Sequence, residues 1–166
     1  MTVIEAIETR RSVRKYKDTP IEDEKLIAVL EAGRISHSAR NAQDWKFIIV
    51  REPTLKAVLA EASENQPSMI SAPAALVAIA TDDRVMLCGV HTEIMDTTIA
   101  FTAMQLRAWE LGLGTCWLGR FHADRVHAAL NLADTEKVIA MSPLGYPDEV
   151  PDMRPRKSAE EVYAII

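Results

Sequence analysis

The sequence has only two cysteines, Cys88 and Cys116, and they form no CxxC pair. That excludes a disulfide framework and suits a reducing cytoplasm. Long hydrophobic runs are also missing. The longest strongly apolar stretch, Ala72 to Ala80, is too short to cross a bilayer and contains Pro73. The opening segment, MTVIEAIETRRSVRKY, holds no seven-residue apolar core and no cleavage site, so no secretory signal is expected. Positive charge is in deficit, with 19 Lys and Arg against 24 Asp and Glu, for a net charge of −5. A general nucleic-acid binder should be basic, which argues against that class.

Several catalytic signatures are absent too. There is no GxSxG elbow and no HExxH. The GLG at 112–114 lacks both the Walker A and the GxGxxG pattern and follows a helical stretch. A P-loop NTPase and a Rossmann dinucleotide site are therefore disfavoured. Of the four histidines, His122 and His127 are five apart, off a common helical face, and Cys88 with His91 has no second pair. No metal site is expected, because a structural zinc wants four ligands. Cys116 lies in the apolar TCWLG and reads as a small buried hydrophobe, not a nucleophile.

What remains is an ordinary globular composition, 48% hydrophobic and 26% charged over 166 residues. That length predicts one domain spanning residues 1–166 with a core large enough to need no staple. Thr2-x-x-Glu5 is a capping box that opens a first helix edged by Ile4 and Ile7. Thr19-Pro20-Ile21-Glu22 predicts a second helix running to Gly33 or Arg34, with Leu26, Ile27 and Leu30 inward. Residues 35–44 read as a polar loop. Buried strands are predicted at Trp45–Val50 and Ala74–Thr81, a short helix at Pro53–Ala62 and a loop at Glu64–Ser71. His91 to Leu111 is the longest helical stretch, apolar around much of its circumference and ended by Gly112. It belongs at the centre of the structure or at a subunit contact. A third short strand is expected at Thr115–Gly119, a helix at His122–Leu130, a fourth strand at Lys137–Tyr146, and a last helix at the capping box Ser158-x-x-Glu161. The proline-rich Pro147–Pro155 reads as an arm crossing a surface, its own subunit's or another's. The fold class is α+β, with the sheet in the middle and helices on its faces.

The cations are unevenly placed. Arg10, Arg11, Arg14, Lys15 and Lys17 fall within eight residues with no acid, and Arg154, Arg156 and Lys157 within four. Either cluster alone reads as a solvated basic surface. Two such clusters in an acidic chain point to a small bound anion. Arg10-Arg11-Ser12-x-Arg14 offers guanidinium forks for phosphate or a carbonyl edge, and Arg156-Lys157 offers a second phosphate-type pair. Ser38-x-x-Asn41-x-Gln43 is an amide-rich loop suited to the edge of a heterocycle; taken alone it is a solvated turn.

The segments IEAIETRRSVRKY, SARNAQDW, ELGLGTCWLGRF, PLGYPDE and RPRKSAEEVY, in this order and spacing, span nearly the whole chain. Together they resemble the FMN-dependent nitroreductase family. The resemblance implies a nitroreductase-like α/β sandwich with a central, mostly antiparallel sheet. It also implies an intertwined homodimer with FMN at the interface, reduced by NADH or NADPH. Carried over, it implies that Arg10, Arg11 and Ser12 hold the FMN phosphate and ribityl chain, with Arg156 and Lys157 completing the phosphate site. Arg14 would lie beside the flavin N1 edge and tune it. Ser38, Ala39 and Asn41 would reach the flavin from the partner subunit, and Asn65 its pyrimidine edge. Leu118 and Gly119 would lie over the ring with a backbone N–H near N5. The flavin N5 carries the chemistry, so no catalytic side chain is implied. Two departures stand out. Asp44 replaces the family's usual proline, which predicts a less rigid loop, and the span 82–91 leaves little room for a lid helix.

The reading is an FMN oxidoreductase passing electrons from NAD(P)H to a nitroaromatic, quinone or similar acceptor by a ping-pong mechanism. No membrane or nucleic acid is involved. The competing readings are a relative performing other flavin chemistry, such as dehalogenation or metabolite oxidation, and a flavin-binding module without turnover. A nucleic-acid binder using residues 10–17 is a further alternative, opposed by the net charge.

Overall fold

The computed structural model describes residues 1–166. Helix α1 spans Val3–Thr9 and α2 Asp23–Arg34; a 3₁₀ turn at Ala39–Asn41 precedes strand β1, Trp45–Val50. Helices α3, Pro53–Ala62, and α4, Pro67–Ser71, lead to β2, Ala74–Ala80. Then follow α5, Thr92–Glu110, β3, Gly114–Thr115, α6, Ala123–Ala129, β4, Lys137–Gly145, and α7, Ala159–Val162.

The sheet runs β1-β2-β4-β3, with every neighbouring pair antiparallel. Strand β2 is buried along its whole length. Alternation explains how one continuous apolar run serves two cores. Ala75, Val77 and Ile79 join Leu59, Met69 and Val126, from α3, α4 and α6, on one face. Leu76 and Ala78 join Leu26 and Val29 of α2, with Phe101 and Met104 of α5, on the other. Helices thus cover both faces, as the α+β reading required.

Both terminal capping boxes form, at Thr2/Glu5 and Ser158/Glu161. Gly112, at φ 79°, caps α5 in the left-handed region that glycine tolerates. Helix α2 starts later than predicted. Ile21 is buried as an extended anchor, and Glu22 is the cap residue. Its carboxylate accepts from Tyr146 Oη at 2.5 Å instead of capping the helix. Val29 and Gly33, not Ile27, complete the inner face of α2, and Ile27 is exposed. Strand β1 is a half-buried edge, and the span read as a loop at 64–71 contains α4, opened by Pro67 at its first turn. On α1, Ile4 and Ile7 face outward and only Ala6 is buried. On α5, polar Asp96, Thr97 and Gln105 lie buried while Ile94 is exposed.

The third strand is shorter than predicted, for a reason that lies in its neighbour. The β3–β4 register pairs Gly114 with Gly145 and Thr115 with Leu144, and resumes at Leu118 with Met141. The same register sets Cys116 opposite Pro143, which has no N–H to give. The Cys116 carbonyl therefore gains no bond from Pro143, the Cys116 N–H donates to Ser142 Oγ at 3.0 Å, and the ladder breaks until Leu118 and Met141 exchange bonds at 2.8 and 3.2 Å. Residues 116, 117, 119 and 120 are thereby left off the ladder, with Leu118 alone bridged back to Met141.

Gly145 packs where a side chain cannot follow: an added Cβ would sit 2.5 Å from Pro73 Cδ, an atom of a rigid ring. Gly145→Ala is expected to destabilise the protein by about 1–3 kcal/mol through overpacking. Gly119→Ala, whose methyl would meet only Trp117 Nε1 at 3.9 Å, should change stability by less than about 0.5 kcal/mol. Urea midpoints of the two variants check the contrast.

Candidate functional site

The basic segment after α1 is held as an extended strap. The Val13 N–H donates to Thr115 O at 2.9 Å, the Lys17 N–H to Tyr146 O at 2.9 Å and the Asp148 N–H to Lys15 O at 3.0 Å. Val13 and Tyr16 are buried, and the Tyr16 hydroxyl donates to Val13 O at 2.6 Å. Burial pushes the Tyr16 hydroxyl pKa up, so it stays protonated. With these two side chains turned inward, Ser12 and Arg14 are left facing outward.

Arg10, Arg11, Ser12 and Arg14 line a cavity of about 210 Å³ together with Arg154 and Arg156 from the C-terminal arm. Two distant parts of the sequence thus converge. Nine other Lys and Arg side chains in the molecule pair with carboxylates, yet none of these five arginines does. Burial, and then the charge of Arg156, hold the Arg10 guanidinium below its ordinary range. It remains a cation at neutral pH. Five like charges brought together against one carboxylate, Asp152, none of them in an ion pair, make a cradle for an anion with two or more charges.

Arg14 also lines a second, wider cavity of about 610 Å³. Its walls include Asn65, Gln66, Pro67, Trp117, Leu118 and Gly119. Asn65 is set by the end of α3: Glu64 and Asn65 adopt φ of 56° and 53°, and the Asn65 N–H donates to Ala60 O at 2.8 Å. Trp117 stands edge-on to Phe101, with ring centroids 4.9 Å apart. Arg120 pairs with Glu64 across the rim, and Gln66 Nε2 donates to Arg120 O at 3.3 Å. Clustered cationic charge at one end, and amides with a flat apolar wall at the other, meet at Arg14. That donor set fits a phosphorylated heterocycle of FMN's kind.

The expected site residues divide in three. Arg10, Arg11, Ser12, Arg14 and Arg156 line the first cavity; Asn65, Leu118 and Gly119 line the second. Leu118 differs in role from the expectation: its side chain is in the core and its N–H is bound to Met141 O, so the unbonded N–H of the pair is that of Gly119. Lys157 is exposed and lines neither cavity; Arg154 takes that place. Ser38, Ala39 and Asn41 also line neither. Their turn is fixed by one long-range and one local bond, the Ala39 N–H donating to buried Asp96 Oδ2 of α5 at 3.1 Å and the Gln43 N–H to Ser38 Oγ at 3.0 Å. Asp44 ties the loop to its surroundings at two points. Its carbonyl accepts from the Thr81 N–H at 3.1 Å and its carboxylate pairs with Arg84 at 3.1 Å. Arg154 was legible from the charge cluster. Gln66 and the Glu64–Arg120 pair carried no sequence signal.

The sequence model of the nitroreductase family matches residues 7–146. A Thermus thermophilus protein named NADH dehydrogenase is 32% identical over 172 residues, which cover 84% of each chain. The crystal structure of a nitroreductase family protein from Clostridium novyi NT superposes with a TM-score of 0.85 at 31% identity, covering 92% of this chain and 89% of that one. The NADPH:FMN oxidoreductase of Vibrio harveyi, solved with NAD⁺, gives a TM-score of 0.89 at 27% identity and covers 98% and 76%.

If the five arginines act as an anion cradle, inorganic pyrophosphate binds there. Removing one guanidinium in Arg156→Ala should cost about 1.5–3 kcal/mol of binding, the value of a charged hydrogen bond. Arg34→Ala, whose partner is Glu31 at 2.6 Å on the far helix, should leave the affinity as it is. Isothermal titration at low ionic strength distinguishes the two.

Proposed function

The chain belongs to the nitroreductase family, and on that premise we propose that it is an FMN-dependent oxidoreductase passing electrons from NADH or NADPH to a nitroaromatic, quinone or similar acceptor. The observation that carries this reading is Arg14, shared by an unpaired guanidinium cradle and a flat, amide-edged cavity. Arg10, Arg11, Ser12, Arg154 and Arg156 would hold the phosphate of FMN. Asn65 and Gln66 would present amides to the ring edge, and the Gly119 N–H has no partner in the fold. Bound FMN would supply hydride acceptance and donation at N5. Arg14 would put a fixed cation beside the ring and favour its reduced, more anionic form. Apolar Pro67, Trp117 and Leu118 would keep water from that side of the cavity.

No helix is long and apolar enough to cross a membrane. Both cysteines are free, in keeping with the cytoplasm. One cavity would serve donor and acceptor in turn, a ping-pong sequence. Ser38, Ala39 and Asn41, which line neither cavity here, would complete the site of a second copy. Exposed Ile4, Ile7, Ile94, Tyr163 and Ile165 supply apolar surface for that contact.

Reconstituted and desalted protein should retain about one FMN per chain, as the motifs imply. NAD(P)H should bleach it anaerobically, with parallel initial-rate lines in steady state. Arg14→Ala should lower the midpoint potential and slow bleaching while retaining most of the FMN. Protein that keeps no flavin would remove the reading, and an unchanged potential would remove Arg14 from this role.

Sedimentation equilibrium should give a dimer. A stable folded monomer of 18.4 kDa at micromolar concentration would contradict the shared site.

A further inference from the structure

Six guanidiniums, Arg10, Arg11, Arg14, Arg154, Arg156 and Arg120, line the two adjoining cavities against two carboxylates, Asp152 and Glu64. A phosphate dianion leaves part of this surplus unneutralised, and it does so in a chain of net charge −5. Arg120 stands apart from the cradle. It lines only the wider cavity and directly follows Gly119. Its side chain is 77% exposed and pairs with Glu64 through one terminal nitrogen, Nη2. The Nε and Nη1 groups have no acceptor in the fold. The backbone beneath is pinned by Gln66, so the guanidinium can turn while its base stays in place.

We propose that Arg120 is a specificity-determining residue that selects electron acceptors carrying an anionic group on an aromatic ring, such as a carboxylate or sulfonate. This rests on the flavin reading of the wider cavity. Consecutive Cα atoms lie about 3.8 Å apart, so a single ring resting against the Gly119 backbone brings its own substituent to the next side chain. The free edge of a guanidinium meets a planar carboxylate in bidentate fashion. Glu64 competes for the same guanidinium and sets how tightly the acceptor is held. For a nitro acceptor the turnover balances as ArNO₂ + NAD(P)H + H⁺ giving ArNO, NAD(P)⁺ and water: two electrons pass to the nitro nitrogen, one N–O bond breaks, and the oxygen leaves as water with two protons. Arg120 takes no part in that exchange and acts on the ring's distal charge. The remaining cations raise the encounter rate of anionic acceptors, an effect that salt screens.

The test uses the FMN-loaded enzyme, reduced anaerobically and mixed by stopped flow with 4-nitrobenzoate or its neutral counterpart 4-nitrobenzamide. The readout is the ratio of the two second-order reoxidation constants, which cancels general damage to the site. In the wild type this ratio should fall as ionic strength rises. Arg120→Ala should lower it about ten-fold, Arg120→Lys should restore part of it as a point charge replaces the fork, and Glu64→Gln should raise it about two-fold. An unchanged ratio in Arg120→Ala overturns the proposal. So does a shift in the NADPH-to-NADH preference of the reductive half-reaction with no shift in the acceptor ratio, which would give the guanidinium to the donor. If neither acceptor reoxidises the wild type, the flavin reading fails first, and visibly separately.

Discussion

Gly114 and Gly145 face one another across β3 and β4, and the closeness this allows builds the site. A Cβ on Gly114 would lie 2.7 Å from Val13, and one on Gly145 would lie 3.0 Å from the Tyr16 ring. Bare backbone at both positions lets the strap of residues 12–17 press against the sheet edge with Val13 and Tyr16 buried. Once those two are fixed, Ser12 and Arg14 must point the other way. The bond from Asp148 to Lys15 then brings the start of the C-terminal arm alongside, so Arg154 and Arg156 enter the same cavity as Arg10. The electrostatic character of the site follows from a packing constraint among small and apolar residues.

A second backbone constraint shapes the other half. Pro143 cannot donate to Cys116, and the Cys116 N–H goes to the Ser142 hydroxyl, which donates in turn to Pro143 O. The segment 116–120 therefore keeps only the Leu118 bridge to the ladder and lines one cavity with Arg14. The exit from the sheet points Trp117 toward solvent, returns Leu118 to the core, and leaves Gly119 with a free N–H. A regular strand would have bound that N–H to its neighbour or turned it away.

The legible parts of the sequence are those governed by local chemistry. Capping boxes, the glycine after α5 and the unbroken apolar run of β2 were readable because each depends on a few adjacent residues. The arginine clusters were readable by charge alone. Long-range effects were not. Glu22 was drawn from capping by Tyr146, more than a hundred residues away. Ile27 was misjudged because Val29 and Gly33 were needed to place the inner stripe of α2. The shortness of β3 depended on which residue of β4 stood opposite Cys116, and no window around Cys116 contains that information. Lys157 and Arg154 could not be ranked by composition; only the path of the arm separates them.

That arm has no helix or strand between Gly145 and Ala159, and residues 152–158 are exposed throughout. Half of the cradle therefore stands on the sheet edge and half on a segment with little packing of its own. Holding such a segment in place costs conformational entropy, on the order of 1–2 kcal/mol per residue. On the reading proposed above, the charge of the anion held there would offset part of that cost. Warming weights the entropic side more heavily, so anion and arm should let go together at temperatures where the sheet and its two cores are still intact. Loss of the bound group on heating is then a local event of the molecule's periphery, distinct from unfolding.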